Sequence, residues 1–255
     1  MLCSEFDPNP HAIINPEDLI QPIPGFPEIC VMVFSNHIAE MCLRRWGGEH
    51  IAQVKCCVGD MPIYRVIVDG TEVALSTPYV GGPAAASFIE EVWPLGGKYF
   101  VFFGAAGVLD RNIPLNSFIL PTAAVRDEGL SYHYLPPSEE VALDPACVDA
   151  CRGALESLGL PYTQGKTWTT DACYRETRGK MERRKEQGCV SVEMECASLA
   201  AVAQFRGVRF AQFFYTTDNL DGPVWDNGVL GQHGASVAEE CIAAAVETGR
   251  RLTQL

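Results

Sequence analysis

Residues Val190–Asp221, VSVEMECASLAAVAQFRGVRFAQFFYTTDNLD, decide how this chain is read. Val190–Val192 reads as the end of a short buried strand, Cys196–Phe205 as an Ala- and Leu-rich helix, and Val208–Tyr215 as a second, aromatic-rich strand. A strand–helix–strand unit this compact predicts a right-handed parallel crossover. Glu193, Met194 and Glu195 then follow the first strand, and Thr216, Thr217 and Asp218 follow the second. Both motifs fall at the carboxyl ends of neighbouring parallel strands, the edge at which open α/β sheets bind ligands. Acids there are costly to desolvate without a partner. A ligand rich in hydroxyls is a natural one.

Working outward, the same alternation continues. Ile29–Phe34 reads as a first buried strand and Asn36–Trp46 as a helix stopped by Gly47-Gly48. Strands are expected over Ile51–Cys57, Ile63–Val68 and Thr71–Ser76, with Asp69-Gly70 as the hairpin turn between the last two. Pro83 suits the first turn of a helix Ala84–Trp93. Lys98–Phe103 and Ser117–Val125 are continuous apolar runs of the doubly covered kind. Helices are expected over Ala146–Leu158, Thr177–Gln187 and Ala235–Leu252. Residues 1–29, with six prolines, read as an irregular arm with a short helix near Pro16–Ile20. The expectation is one α/β domain over residues 1–255, a three-layer α/β/α sandwich around a mixed central sheet.

Composition bounds the partners. The 255 residues are 47% hydrophobic and 20% charged, enough to bury a sizeable core. A net charge of −13 argues against nucleic acid or an anionic membrane, both of which reward basic patches. Eleven cysteines include no CxxC pair, and an odd number fits no disulfide framework. Cys42, Cys173, Cys189, Cys196 and Cys241 stand in apolar or Ala-rich settings, where Cys behaves as a small hydrophobe. A reducing cytoplasm is the expected compartment. The start, MLCSEFDPNP, has neither the basic nor the apolar region of a signal peptide, and no apolar run reaches the length of a membrane span.

The motifs carry a family resemblance. VEMECA followed by a strand and TTDN resembles the ribose-binding and acid motifs of the nucleoside phosphorylase superfamily, which holds purine and uridine phosphorylases and related nucleosidases. Gly104-Ala-Ala-Gly107 resembles that family's glycine loop, and Pro121–Gly129 resembles the following strand and loop. Trp168–Thr177 resembles the base-side loop, and Asn9-Pro-His11 the segment whose His reaches a neighbouring subunit's site. The resemblance spans roughly residues 9–250 and implies the superfamily's fold. It implies a ribonucleoside substrate, N-glycosidic cleavage, no cofactor or metal, inorganic phosphate as co-substrate of a phosphorylase, and a homodimer or a hexamer of three dimers.

The resemblance assigns Glu195 to the ribose hydroxyls, with Glu193 beside it and Met194 packing on the sugar; from residue type alone, a helix-start acid complementing the dipole is the other reading of Glu195. It makes Asp218 the general acid that stabilises the departing base, where a turn or cap Asp is the alternative. Tyr174 and Arg178 fall on the base side, and Cys173 stands where the family has a stacking Phe. A solvated helix-start Arg is the other reading of Arg178. His11 is assigned to a partner's ribose.

The phosphate position departs from the pattern. The family's Gly-Asp-Pro segment and its Arg are replaced by Phe34–Ala39, FSNHIA. Phe102 stands where an Arg is expected two residues before Gly104, and Ala105 where a Ser or Thr follows it. The Arg donated by a partner belongs near Gly59, where the closest cations are Lys55 and Arg65. Three readings follow: a phosphorylase with a rebuilt site (using His37, Ser35 or Lys55), a hydrolase using water with Glu40 only loosely in place, or a nucleoside-binding homologue without catalysis.

Overall fold

The computed structural model describes residues 6–255; the first five residues of MLCSEFDPNP lie outside them. After the short helix α1 (Pro16–Leu19), five strands lie in the order β2 (Glu49–Val54), β3 (Met61–Val68), β4 (Thr71–Ser76), β1 (Ile29–Val33) and β5 (Tyr99–Val108). The β3–β4 hairpin turns at Asp69 and Gly70, both at positive φ, the pairing a two-residue turn of this kind demands. β5 is parallel to β1 and buried along almost its whole length, as its unbroken apolar run requires.

Beyond β5 the sheet closes on itself. β10 (Arg209–Asn219) runs parallel to β5, then come β6 (Phe118–Asp127), β8 (Tyr162–Thr170) and β9 (Cys189–Glu193), and β9 returns to the far end of β5 through Gly107↔Val192 and Val108↔Ser191. β7 (Glu140–Ala142) adds to β6. Helices flank the sheet: α2 (Asn36–Trp46) against β1 and β3, α3 (Gly82–Leu95) against α7 (Cys196–Arg206), and α5 (Pro145–Ser157) against α8 (Ala238–Leu252). The short α4 (Ser131–Tyr134) packs on α7, and α6 (Arg178–Glu186) on β9. The α/β class with a mixed central sheet is as expected. Among the described residues no helix is long and apolar enough to cross a membrane.

Four local expectations are corrected. The strands either side of α7 are not neighbours: β5 lies between them, antiparallel to β9 and parallel to β10, because the short β9 serves to close the ring. Gly104–Gly107 is strand rather than loop, since β5 continues to Val108. Its glycines permit close approach: a Cβ on Gly104 would sit 3.0 Å from Phe34 Cβ. Trp168–Thr170 ends a strand whose polar sequence hid it, because the inward threonines bond a buried acid. Cys42, Cys189, Cys196 and Cys241 are buried, but Cys173 is exposed on a one-turn 3₁₀ segment; all ten described cysteines are free thiols.

Candidate active site

Glu193 ends β9 with its side chain buried under the start of α7. One carboxylate oxygen accepts Thr169 Oγ1 at 2.6 Å and Thr167 Oγ1 at 3.4 Å. The other accepts the backbone N–H groups of Glu195 and Cys196, each at 2.7 Å. Those two belong to the unsatisfied amides at a helix start, so Glu193 anchors the α7 N-terminus. The helix-start acid is therefore Glu193, and both of its oxygens are committed to the chain, although the residue also borders the cavity described below.

Glu195, by contrast, is not among the residues that line that cavity. Its side chain caps nothing in its own helix; it reaches across to accept the N–H of Gly81 at 2.7 Å. Gly81 precedes α3 at φ 102°, a conformation that favours glycine. Glu195 is buried, and burial raises both acids above their ordinary 4.5; the charge of Glu195 adds to the rise at Glu193. Met194, between them, faces the cavity.

That cavity, about 560 Å³, opens where β5, β9 and β10 end. Its size and mixed apolar and acidic lining suit a small organic ligand. Asp218 enters it because β10 is bulged: the register with β5 slips between Thr216 and Asp218, so consecutive Thr217 and Asp218 both face the cavity. Asp218 accepts Thr217 Oγ1 at 2.9 Å and Trp225 Nε1 at 2.8 Å, which fixes the plane of its carboxylate. Gly107 makes room, since a Cβ there would lie 3.3 Å from Asp218 Oδ2 and 2.6 Å from Leu220 Cδ1.

The base-side segment forms the opposite wall. Cys173 and Tyr174 line the mouth, Tyr174 almost fully exposed. Arg178 lines it too, but its guanidinium donates to the carbonyls of Gly222 and Pro223 and so ties the loop after β10 to α6. Lys185 reinforces that tie through Asp221 at 2.8 Å. Among the lining residues that the sequence reading did not single out are Glu176 and Trp225. Glu176 lines the same cavity as Asp218, and burial together with the Asp218 charge pushes its carboxyl up to about 7. Trp225 offers an aromatic face where Cys173 cannot. An aromatic in a Gly-Pro loop was the only signal for Trp225, while Glu176 lay inside the quoted Trp168–Thr177 segment.

Of the three phosphate-loop positions only Ala105 reaches the cavity. Phe102 is fully buried between Phe34 and Phe210, with ring centroids 5.9 Å away on each side. Gly104 packs on Phe34. Ser35 caps α2 and donates to the His233 carbonyl at 2.8 Å, and Glu40 pairs with Arg44 on the α2 surface. His11 is exposed on the arm and does not line this cavity within one chain.

A family model described as the phosphorylase superfamily matches residues 30–253. Uridine phosphorylase of Salmonella typhimurium is 29% identical over 160 residues, which cover 57% of this chain and 63% of that protein. The match thus spans less than two thirds of that relative's length. Guanosine phosphorylase of Halorubrum lacusprofundi is 25% identical over 213 residues, 83% of each chain. The crystal structure of purine nucleoside phosphorylase from Toxoplasma gondii superposes with a TM-score of 0.75 at 21% identity, over 92% of this chain and 97% of that one, which is a likeness of fold.

Proposed function

This chain belongs to the phosphorylase superfamily, and on that premise we propose that it is a pentosyltransferase-type enzyme that cleaves the N-glycosidic bond of a ribonucleoside. One observation carries the proposal: a bulge turns the oriented Asp218 carboxyl into a nucleoside-sized cavity that Met194 and Trp225 also line. Breaking the bond builds positive charge on the sugar and negative charge on the leaving base. An acid at the base position relieves the second, and buried carboxylates near the sugar stabilise the first. Glu195 accepts the ribose hydroxyls beside its Gly81 bond, Met194 packs on the sugar, and the base lies between Trp225 and the Cys173–Tyr174 edge.

A second reading is favoured by the burial of Phe102 between two phenylalanines, with half-buried Ala105 as the member of that stretch that lines the cavity: water, rather than phosphate, attacks the sugar. A phosphate dianion needs charge-assisted donors, and Arg178, the single Lys or Arg that lines the cavity among the described residues, is occupied by backbone carbonyls. Incubation with a nucleoside panel, with and without phosphate, tests both readings. Free base with ribose 1-phosphate supports the phosphorylase, and free base with ribose supports the hydrolase. Tight binding without either product leaves a nucleoside-binding homologue.

A further inference from the structure

We infer that Trp225 is a positioning residue for the proposed acid: its indole N–H holds Oδ2 of Asp218 as an unprotonated acceptor, so that the carboxyl carries its proton on Oδ1 and delivers it to N7 of a purine. The inference rests on the nucleoside reading above and adds to it a positioning residue and a base class. Trp225 Nε1 donates to Asp218 Oδ2 at 2.8 Å, and an indole N–H can only donate. A proton on Oδ2 would meet that N–H hydrogen against hydrogen. β5 passes close to the same oxygen, since a Cβ on Gly107 would lie 3.3 Å from it. Oδ1 is different. Its partner is the Thr217 hydroxyl at 2.9 Å, which can accept as well as donate and has the Ala106 carbonyl as a second acceptor at 3.4 Å. With the Thr217 hydrogen turned to Ala106, a proton on Oδ1 rests against Thr217 Oγ1 until a bound base takes it.

The backbone fixes the indole in place. Trp225 directly precedes Asp226, whose backbone pairs with Asn219 at the end of β10 in both directions, at 2.8 and 3.1 Å. The loop between these two is tied again further out. Arg178 donates to the Gly222 and Pro223 carbonyls, and Asp221 takes Lys185 at 2.8 Å and the Arg111 backbone N–H at 3.2 Å. An indole so anchored is set before any ligand arrives, as a donor that stabilises developing charge must be. When the C1′–N9 bond breaks, its electron pair passes to the base and the Oδ1 proton to N7, while water or phosphate bonds to C1′. Asp218 is left a carboxylate, and the Trp225 N–H already faces the oxygen that shares its new charge. A purine suits this step because N7 is a ring nitrogen with a free lone pair, whereas the second ring nitrogen of uracil carries a hydrogen.

The test uses the intact protein, first without ligand and then in turnover. In the nitrogen-15 spectrum of the ligand-free protein, the Trp225 indole resonance is the one lost in Trp225→Phe. Asp218→Ala should move that resonance upfield by removing its acceptor. Phenylalanine keeps an aromatic ring and has no N–H, so Trp225→Phe should slow single-turnover cleavage of inosine by about tenfold or more, the worth of a hydrogen bond to a charged group. In an Asp218→Ala background the same change should cost less than about threefold, because a residue acting through Asp218 has nothing left to position. An equal loss in both backgrounds, no loss in either, or an indole resonance unmoved by Asp218→Ala would overturn the inference while leaving nucleoside cleavage intact. Cleavage of uridine without any of inosine would do the same. A protein that cleaves no nucleoside overturns both.

Discussion

Glu193 and Glu195 are two residues apart and do different work. Glu193 receives four donors from the chain and holds the α7 N-terminus. Burial nevertheless keeps its carboxyl above the ordinary value. An acid whose folded-state pKa lies above its unfolded one contributes stability that is fully present below about 4.5 and is lost as pH rises through the folded value. Thermal melting of wild type should therefore shift to lower temperature as pH rises from about 5 to above neutral, and Glu193→Gln should reduce that slope. An identical slope in the two proteins would show that Glu193 ionises as freely as it does in the unfolded chain. Glu195→Ala should leave the protein folded while weakening nucleoside binding by about tenfold or more, from about 1.5–3 kcal/mol per lost charged bond. Calorimetry with inosine, adenosine and uridine checks this, and undiminished affinity in a protein that binds any of them removes Glu195 from the ribose.

Elements meet at this site through small residues. α3 and α7 approach so closely that a Cβ on Gly82 would lie 2.3 Å from Ser198 Oγ, and Ser198 itself donates to buried Glu128 at 2.7 Å. Gly82→Ala should destabilise the fold by about 1–3 kcal/mol in urea unfolding, the usual range for overpacking, and should weaken ligand binding by moving the Gly81 N–H off Glu195. β5 supplies the second element-scale prediction. With Phe102 packed between Phe34 and Phe210, its middle is core where a phosphate site would need cations. Turnover should show weak or no dependence on phosphate; a sub-millimolar half-saturation would mean that another cation fills the site. Phe102→Ala should cost about 3–5 kcal/mol, as large-to-small changes at a buried aromatic do, which denaturant titration measures.

At the scale of the whole molecule, the arm before β1 carries apolar side chains in the open. Ile13 and Leu19 are exposed, with Ile14 between them, and His11 stands just ahead. An isologous dimer would cover such an arm and bring each His11 to the other subunit's cavity. Light scattering should give at least twice the 27.8 kDa of one chain; a clean monomer at micromolar concentration would reject the dimer. His11→Ala should then weaken nucleoside binding without changing the assembly.

The sequence by itself determined the alternation of strands and helices, the hairpin at Asp69-Gly70, and the placing of Met194, Glu193 and Asp218 at or beyond the ends of strands. These follow from periodicity, turn chemistry and the direction of strands, all of which are local. Tertiary structure decided what local pattern does not encode. Closure of the ring placed β5 between β9 and β10, and the polar strand β8 became recognisable only once Glu193 was there to accept its threonines. The slip in register at Thr217 aimed Asp218 into the cavity, and the fold brought Glu176 to it from 42 positions earlier in the chain. Which acid capped α7, and which turned to the Gly81 N–H, depended on how the helix starts pack across these long separations. Propensity fixes the path of each element; the pairing of distant strands fixes where its side chains meet.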